Sequence, residues 1–146
     1  MARKTLVAVD GSPQSEAALA YALEEFPASA ITALHVIQLP EGYWASFADS
    51  ETELPGYENA RERGMELLDE AVATAADEGR EIETVLESGK PAREIIEYAV
   101  GSDVDQIAIG SHGRHGVDRV LYGSVSESVV RRAPMTVIVV HERPDR

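Results

Sequence analysis

The groups best able to hold an anion are concentrated in one stretch, Gly110-Ser-His-Gly113-Arg-His-Gly116-Val-Asp-Arg-Val-Leu-Tyr-Gly123-Ser124-Val125-Ser126. Glycines let peptide N–H groups close on a phosphate without a Cβ between them. A helix that starts beyond Gly123 adds unpaired N–H donors and the positive end of its dipole. Ser124 and Ser126 contribute hydroxyls, while Arg114 and Arg119 add local positive charge. This is not a Walker A loop, because the GxxxxGK[ST] spacing and its lysine are absent. Ser124-Val-Ser-Glu127 also matches a capping box, in which Ser124 would satisfy the helix's own N–H groups. Capping accounts for Ser124 but not for Gly110, Gly113 and Gly116 beside two histidines and Arg114.

Asp10, in Asp10-Gly11-Ser12-Pro13, is a second candidate, either as a turn-former or as a ligand contact. His35 reads as a packed or dimer-neighbouring side chain, and His112 and His115 as loop residues. Four histidines with no cysteine and no i, i+4 pair beside a glutamate give no zinc signature, so no metal ligands are assigned.

These residues need a scaffold, and the hydrophobic pattern supplies one. Thr5 to Val9 is a short apolar run suited to a strand buried on both faces. Ser12 then caps a helix that opens at Pro13 and runs to Glu25, with Ala18, Leu19, Ala22, Leu23 and Phe26 on its inner stripe. Ala30 to Ile37 is a second strand. Residues 39–57 lack a period and form a long loop in which Trp44 and Phe47 are candidate covers for a ligand. A helix from Glu58 to Glu78 carries Met65, Leu68, Val72 and Ala76 on one side. A strand over Ile82 to Leu86 follows, then a helix opened by Gly89-Lys90-Pro91 with Ile95, Ile96, Ala99 and Val100. A strand over Asp105 to Ile109, a helix over Val125 to Arg132 and a strand over Met135 to Val140 complete the chain. Strict alternation predicts an α/β fold: one doubly wound parallel sheet of five strands, helices on both faces, in a single domain over 1–146. Ligands of such sheets bind at the carboxyl ends of the strands, which singles out the turns after the first, second and fourth strands.

Composition narrows the partners. With 26 acidic and 13 basic residues the net charge is −13, and Lys4 and Lys90 are the two lysines. Such a charge argues against nucleic acid and anionic membranes as partners and points to a halophile, where concentrated salt screens the self-repulsion. No apolar run approaches the length of a membrane span, and the N-terminus does not read as a secretion signal. The absence of cysteine agrees with a reducing compartment, so a cytoplasmic protein is expected.

The spacing Gly110-x2-Gly113-x9-Gly123-Ser124 resembles the nucleotide-binding signature of the ATP-binding branch of the universal stress protein family. The resemblance extends over essentially the whole chain, through Val7-Ala-Val-Asp10-Gly-Ser12, His35-Val36, Gly89-Lys-Pro-Ala92 and Pro134-Met-Thr-Val-Ile-Val-Val140. It implies strand order 3-2-1-4-5 and a homodimer paired through the last strand, Met135 to Val140. It places Asp10 beside the nucleoside and the Val36 backbone on adenine, with Gly110, Gly113, Gly123, Ser124, Val125 and Ser126 around ribose and phosphates. A divalent metal, Mg or Mn, would neutralise the triphosphate. Val9 departs from members with a hydroxyl residue before the aspartate, so that side-chain contact is not expected here.

The function implied is an ATP-binding stress-response regulator with at most slow hydrolysis, since no residue is nominated to position water beside the γ-phosphate. A nucleotide-free dimerisation module of the same fold remains the alternative. A flavoprotein-like enzyme on a related fold would need a longer chain and a second cofactor region.

Overall fold

The computed structural model describes residues 3–39, 56–111 and 124–142. Nine elements alternate along them: β1 Lys4–Ala8, α1 Pro13–Glu25, β2 Ala30–Gln38, α2 Tyr57–Asp77, β3 Glu83–Gly89, α3 Pro91–Gly101, β4 Gln106–Gly110, α4 Ser124–Arg132 and β5 Thr136–Val140. The strands form one sheet in the order β3-β2-β1-β4-β5, all neighbours parallel. The expected α/β fold and strand order are therefore both present.

Alternation along the strands divides the core into two layers. Val7, Val9, Ile31, Ala33 and Ala108 point to one face, where they pack on Ala18, Leu19, Ala22 and Leu23 of α1 and Leu68, Ala71 and Ala75 of α2. Leu6, Leu34, Ile107 and Ile109 point to the other, against Ile95 and Ala99 of α3 and Val129 of α4. Every residue of β4 is buried, as a central parallel strand between two helical layers requires. Among the described residues β5 pairs only with β4, and it stays half-buried along Val137 to Val140.

The stripe expected on the long helix is displaced. Its buried side is Tyr57, Gly64, Leu67, Leu68, Ala71 and Ala75, while Met65 and Val72 are exposed. Gly64 sets this rotation: a Cβ there would stand 2.8 Å from the His35 ring and 2.9 Å from Leu86 Cδ1, so the helix backbone lies directly on β2 and β3. On α3, Ile95 and Ala99 face the core as expected, but Val100 is exposed. Trp44 and Phe47, and the whole glycine loop over 112–123, lie outside the described residues.

Candidate functional site

Winding reverses beside β1, since α1 carries the chain toward β2 while β4 lies on β1's other side. The turn after β1 is built from local hydrogen bonds. Asp10 Oδ1 accepts from Ser12 N at 2.9 Å, and Ser12 Oγ accepts from Ser15 N at 3.1 Å, the helix cap the sequence predicts. Ser15 is buried and links the two ends of the turn. Its hydroxyl donates to the Ser12 carbonyl at 3.2 Å and accepts from Asp10 N at 3.2 Å. Gly11 adopts φ 85°, the left-handed region that a side chain resists, and a Cβ there would stand 2.9 Å from Leu67 Cδ2.

Gly110, at the tip of β4, is held to glycine by packing. A methyl group at this position would sit 2.5 Å from the Gln14 carbonyl carbon and 2.6 Å from its oxygen, so β4 abuts the first turn of α1. The close approach brings Asp10 and Gly110 to one place.

Between these tips, β2, α2 and α3 enclose a cavity of about 360 Å³. Of the candidate residues, Asp10, Val36, Gly110 and Val125 line it together. Its walls are mostly aliphatic, with Val9, Leu34, Ile37, Pro91, Ile95 and Ile109 among them. That size and lining suit a small flat ligand.

The Val36 backbone faces this cavity by register. The Leu34 carbonyl points toward β1, where it accepts from Val9 N at 2.9 Å. Val36, two residues on, directs its own N–H and C=O to the same side, where β1 has turned away into Asp10–Ser12. A donor and an acceptor on neighbouring positions are thereby presented to the cavity.

His35 is packed, as expected, and it also lines the cavity. Its Nδ1 lies 2.8 Å from the Val9 carbonyl; a carbonyl only accepts, so Nδ1 carries the proton. The sequence reading did not single out Ser15 or Arg63, which both line the cavity. Arg63 reaches over from α2, 3.6 Å from Glu66 in an exposed pair. In the sequence it is one more charge in the run Arg61-Glu-Arg63, with nothing to separate it from a solvated helix face.

Ser124 and Val125 open α4, and Ser124 is exposed. Ser124 is the first described residue of this helix, so the capping-box reading falls at the border of the described residues. Glu127 Oε2 accepts from Arg131 Nη2 at 3.2 Å. Ser126 is fully buried on the inner side of α4 and is not among the cavity-lining residues. Gly113 and Gly123 lie outside the described residues.

A second recess, of about 720 Å³, continues from the first and shares Gln38, Pro91 and Val125 with it. Lys90, Arg93, Ser124, Ser128 and Arg132 complete much of its lining. Arg93 Nε donates to Glu97 Oε2 at 3.0 Å, and this bond and the nearby charge raise the arginine pKa. Neighbouring Glu94 has its pKa raised by burial first, then by Glu97 and Glu87, with Arg93 opposing. No group of three or more His, Cys, Asp or Glu able to hold a metal occurs among the described residues. No helix among them is long and apolar enough to cross a membrane.

Comparison with known proteins agrees with the fold. The universal stress protein family matches the chain over residues 1–141. A universal stress protein of Methanocaldococcus jannaschii is 33% identical over 148 residues, covering 94% of this chain and 81% of that one. A solved protein of the same organism is 29% identical, with a TM-score of 0.78 and 99% of each chain covered. An Arabidopsis thaliana member solved with AMP bound has the same fold, at 21% identity, a TM-score of 0.71, and 98% and 94% coverage. The chain belongs to the universal stress protein family.

Proposed function

We propose that this chain is a single-domain ATP-binding regulatory protein of the cytoplasm, which holds the nucleotide at the carboxyl ends of β1, β2 and β4. The observation that carries the proposal is the meeting of Asp10, the Val36 backbone, Gly110 and Val125 around one largely aliphatic cavity. The aliphatic walls suit the faces of adenine. Val36's N–H and C=O match the adjacent acceptor and donor on the purine edge. In this reading the Asp10 carboxylate takes the ribose hydroxyls. Gly110, Gly113, Gly123, Ser124, Val125 and Ser126 take the ribose and phosphate end, Ser126 through its peptide N–H because its side chain is buried. Mg or Mn is carried by the phosphates rather than by a cluster of protein carboxylates.

The role is regulatory rather than enzymatic, with hydrolysis slow at most. Among the described cavity residues, Asp10 accepts from Ser12 N and His35 is bonded to the Val9 carbonyl. These bonds give both side chains a structural task, which supports the regulatory reading.

The functional unit is a homodimer through β5. Val140's carbonyl accepts from Ser111 N at 2.9 Å and so faces β4, which directs the peptide groups of Val137 and Val139 outward along an edge that pairs with no strand among the described residues. Pairing with a second copy covers that edge. Two measurements in concentrated KCl test the proposal: the bound mass after gentle purification, and the molecular mass by light scattering. A dimer carrying adenine nucleotide is expected, and Val139→Pro, which removes one outward N–H, should give monomers. A dimer that takes up no adenine nucleotide would instead make the chain a nucleotide-free dimerisation module.

A further inference from the structure

We propose that the recess continuing from the nucleoside cavity is a second phosphate subsite, and that the chain favours adenine nucleotides whose phosphate chain extends beyond three. The proposal rests on the adenine-nucleotide reading of the cavity and deepens it.

Charge is the first argument. Acidic residues outnumber basic ones 26 to 13 in the chain, yet the recess is lined by Lys90, Arg93 and Arg132, with no carboxylate among its described lining residues. A recess of this charge in so acidic a protein attracts an anion that the remaining surface repels.

Shape is the second. Ser124, Ser128 and Arg132 follow one another at i, i+4 and i+8, so they form a single face of α4. This face runs about 12 Å along the helix axis, away from the end where the nucleotide's own phosphates would lie. Lys90 and Arg93 form the opposite wall, at the start of α3. Hydroxyl, hydroxyl and guanidinium in line, with the Arg93 guanidinium across from them, suit a chain of linked phosphates better than one compact ion.

Continuity is the third. The two recesses share Gln38, Pro91 and Val125, so one molecule can enter both. Glu97 takes the Nε edge of Arg93, leaving its terminal nitrogens for a phosphate, and Glu94 packs back against Gly89. Arg131 is bonded to Glu127 and is not among the lining residues.

The test is calorimetric titration with AMP, ATP and adenosine tetraphosphate at one fixed KCl and Mg concentration, on the wild type and Arg132→Gln. Adenosine tetraphosphate should bind the wild type about fivefold or more tightly than ATP. Arg132→Gln should remove that gain while leaving AMP within about twofold of its wild-type affinity. Ser128→Asp, which puts a carboxylate into the recess, should act in the same direction and guards against a folding defect in the first variant. Equal affinity for ATP and adenosine tetraphosphate, or an equal loss for AMP and the tetraphosphate in both variants, would overturn the subsite. Inorganic tripolyphosphate binding alongside AMP, with no gain for the tetraphosphate, would also overturn it, by assigning the recess to a free anion. Failure of AMP itself to bind the wild type would reject the underlying nucleotide reading, a separately visible result.

Discussion

The two ends of the sheet are built from the same five strands but use their polar groups in opposite ways. At the amino ends of the strands the groups satisfy one another. Lys4 N donates to Asp105 Oδ2 at 2.8 Å, and buried Gln106 donates to Thr5 Oγ1 at 2.9 Å, which in turn meets Ser29 Oγ at 2.7 Å. Arg80 donates to the carbonyls of Leu23, Phe26 and Ser29 at 2.9, 3.3 and 3.0 Å, tying the chain beyond α2 to the end of α1. At the carboxyl ends, β1 turns away early: Asp10 is bonded within its own turn and Arg63 is paired with Glu66, yet both border a cavity together with Val36. The comparison teaches that one end is tied together by its own polar groups while the other leaves a cavity open between the strand tips. Substitutions at the two ends should therefore separate stability from binding.

Gly110→Ala should have the largest effect, because it strikes where the two tasks meet. The added methyl would stand 2.5 Å from the Gln14 backbone, so β4 and α1 must part. A loss of about 3 kcal/mol in denaturant unfolding is expected, together with weakened nucleotide binding. An unchanged unfolding midpoint would show that the two tips are not in close contact.

Arg80→Ala sharpens the contrast from the amino end. Losing charge-assisted bonds to three carbonyls should cost about 2 kcal/mol of stability, while nucleotide affinity stays as it was. A drop in affinity at conditions where the variant is fully folded would mean that the two ends are coupled.

Glu94→Gln should have the smallest effect and a pH signature. Burial and the neighbouring Glu97 and Glu87 raise the Glu94 pKa in the folded chain, so the native state holds that proton more tightly than the unfolded state. Stability attached to this group is thus highest at low pH, and falls as pH rises from the ordinary glutamate range through the raised folded value. Glu94→Gln should flatten that part of the stability profile and leave the variant slightly more stable at neutral pH. Thermal melts across mildly acidic pH check it, and an unaltered slope would contradict the assigned cause.

Much of this architecture is legible in the residues themselves. Strand and helix alternation, the Ser12 cap, Pro13 and Pro91 at helix starts and the apolar stripe of α1 are local signals, and each is present in the fold. The inward face of α2 is not local. Its period is clear in the sequence, but its rotation depends on Gly64 fitting against His35 and Leu86, residues distant in sequence. The same limit applies to the site. Asp10, Val36, Gly110 and Val125 come from the strand-end rule and the family signature. Arg63, Lys90 and Arg132 look like ordinary surface charge until the helices bring them beside a recess. Ser15 was missed for a similar reason: its burial follows from the way the Asp10–Ser12 turn folds back on α1.

The most direct test is titration of Mg–ATP into the protein in concentrated KCl, followed by calorimetry, on the wild type, Asp10→Ala and Val125→Trp. One nucleotide per chain is predicted for the wild type. Affinity should fall about tenfold in Asp10→Ala, and binding should be lost when the Val125→Trp side chain fills the cavity. Absence of binding to the folded wild type, or equal binding to all three proteins, would contradict the claim that this cavity is the nucleotide site.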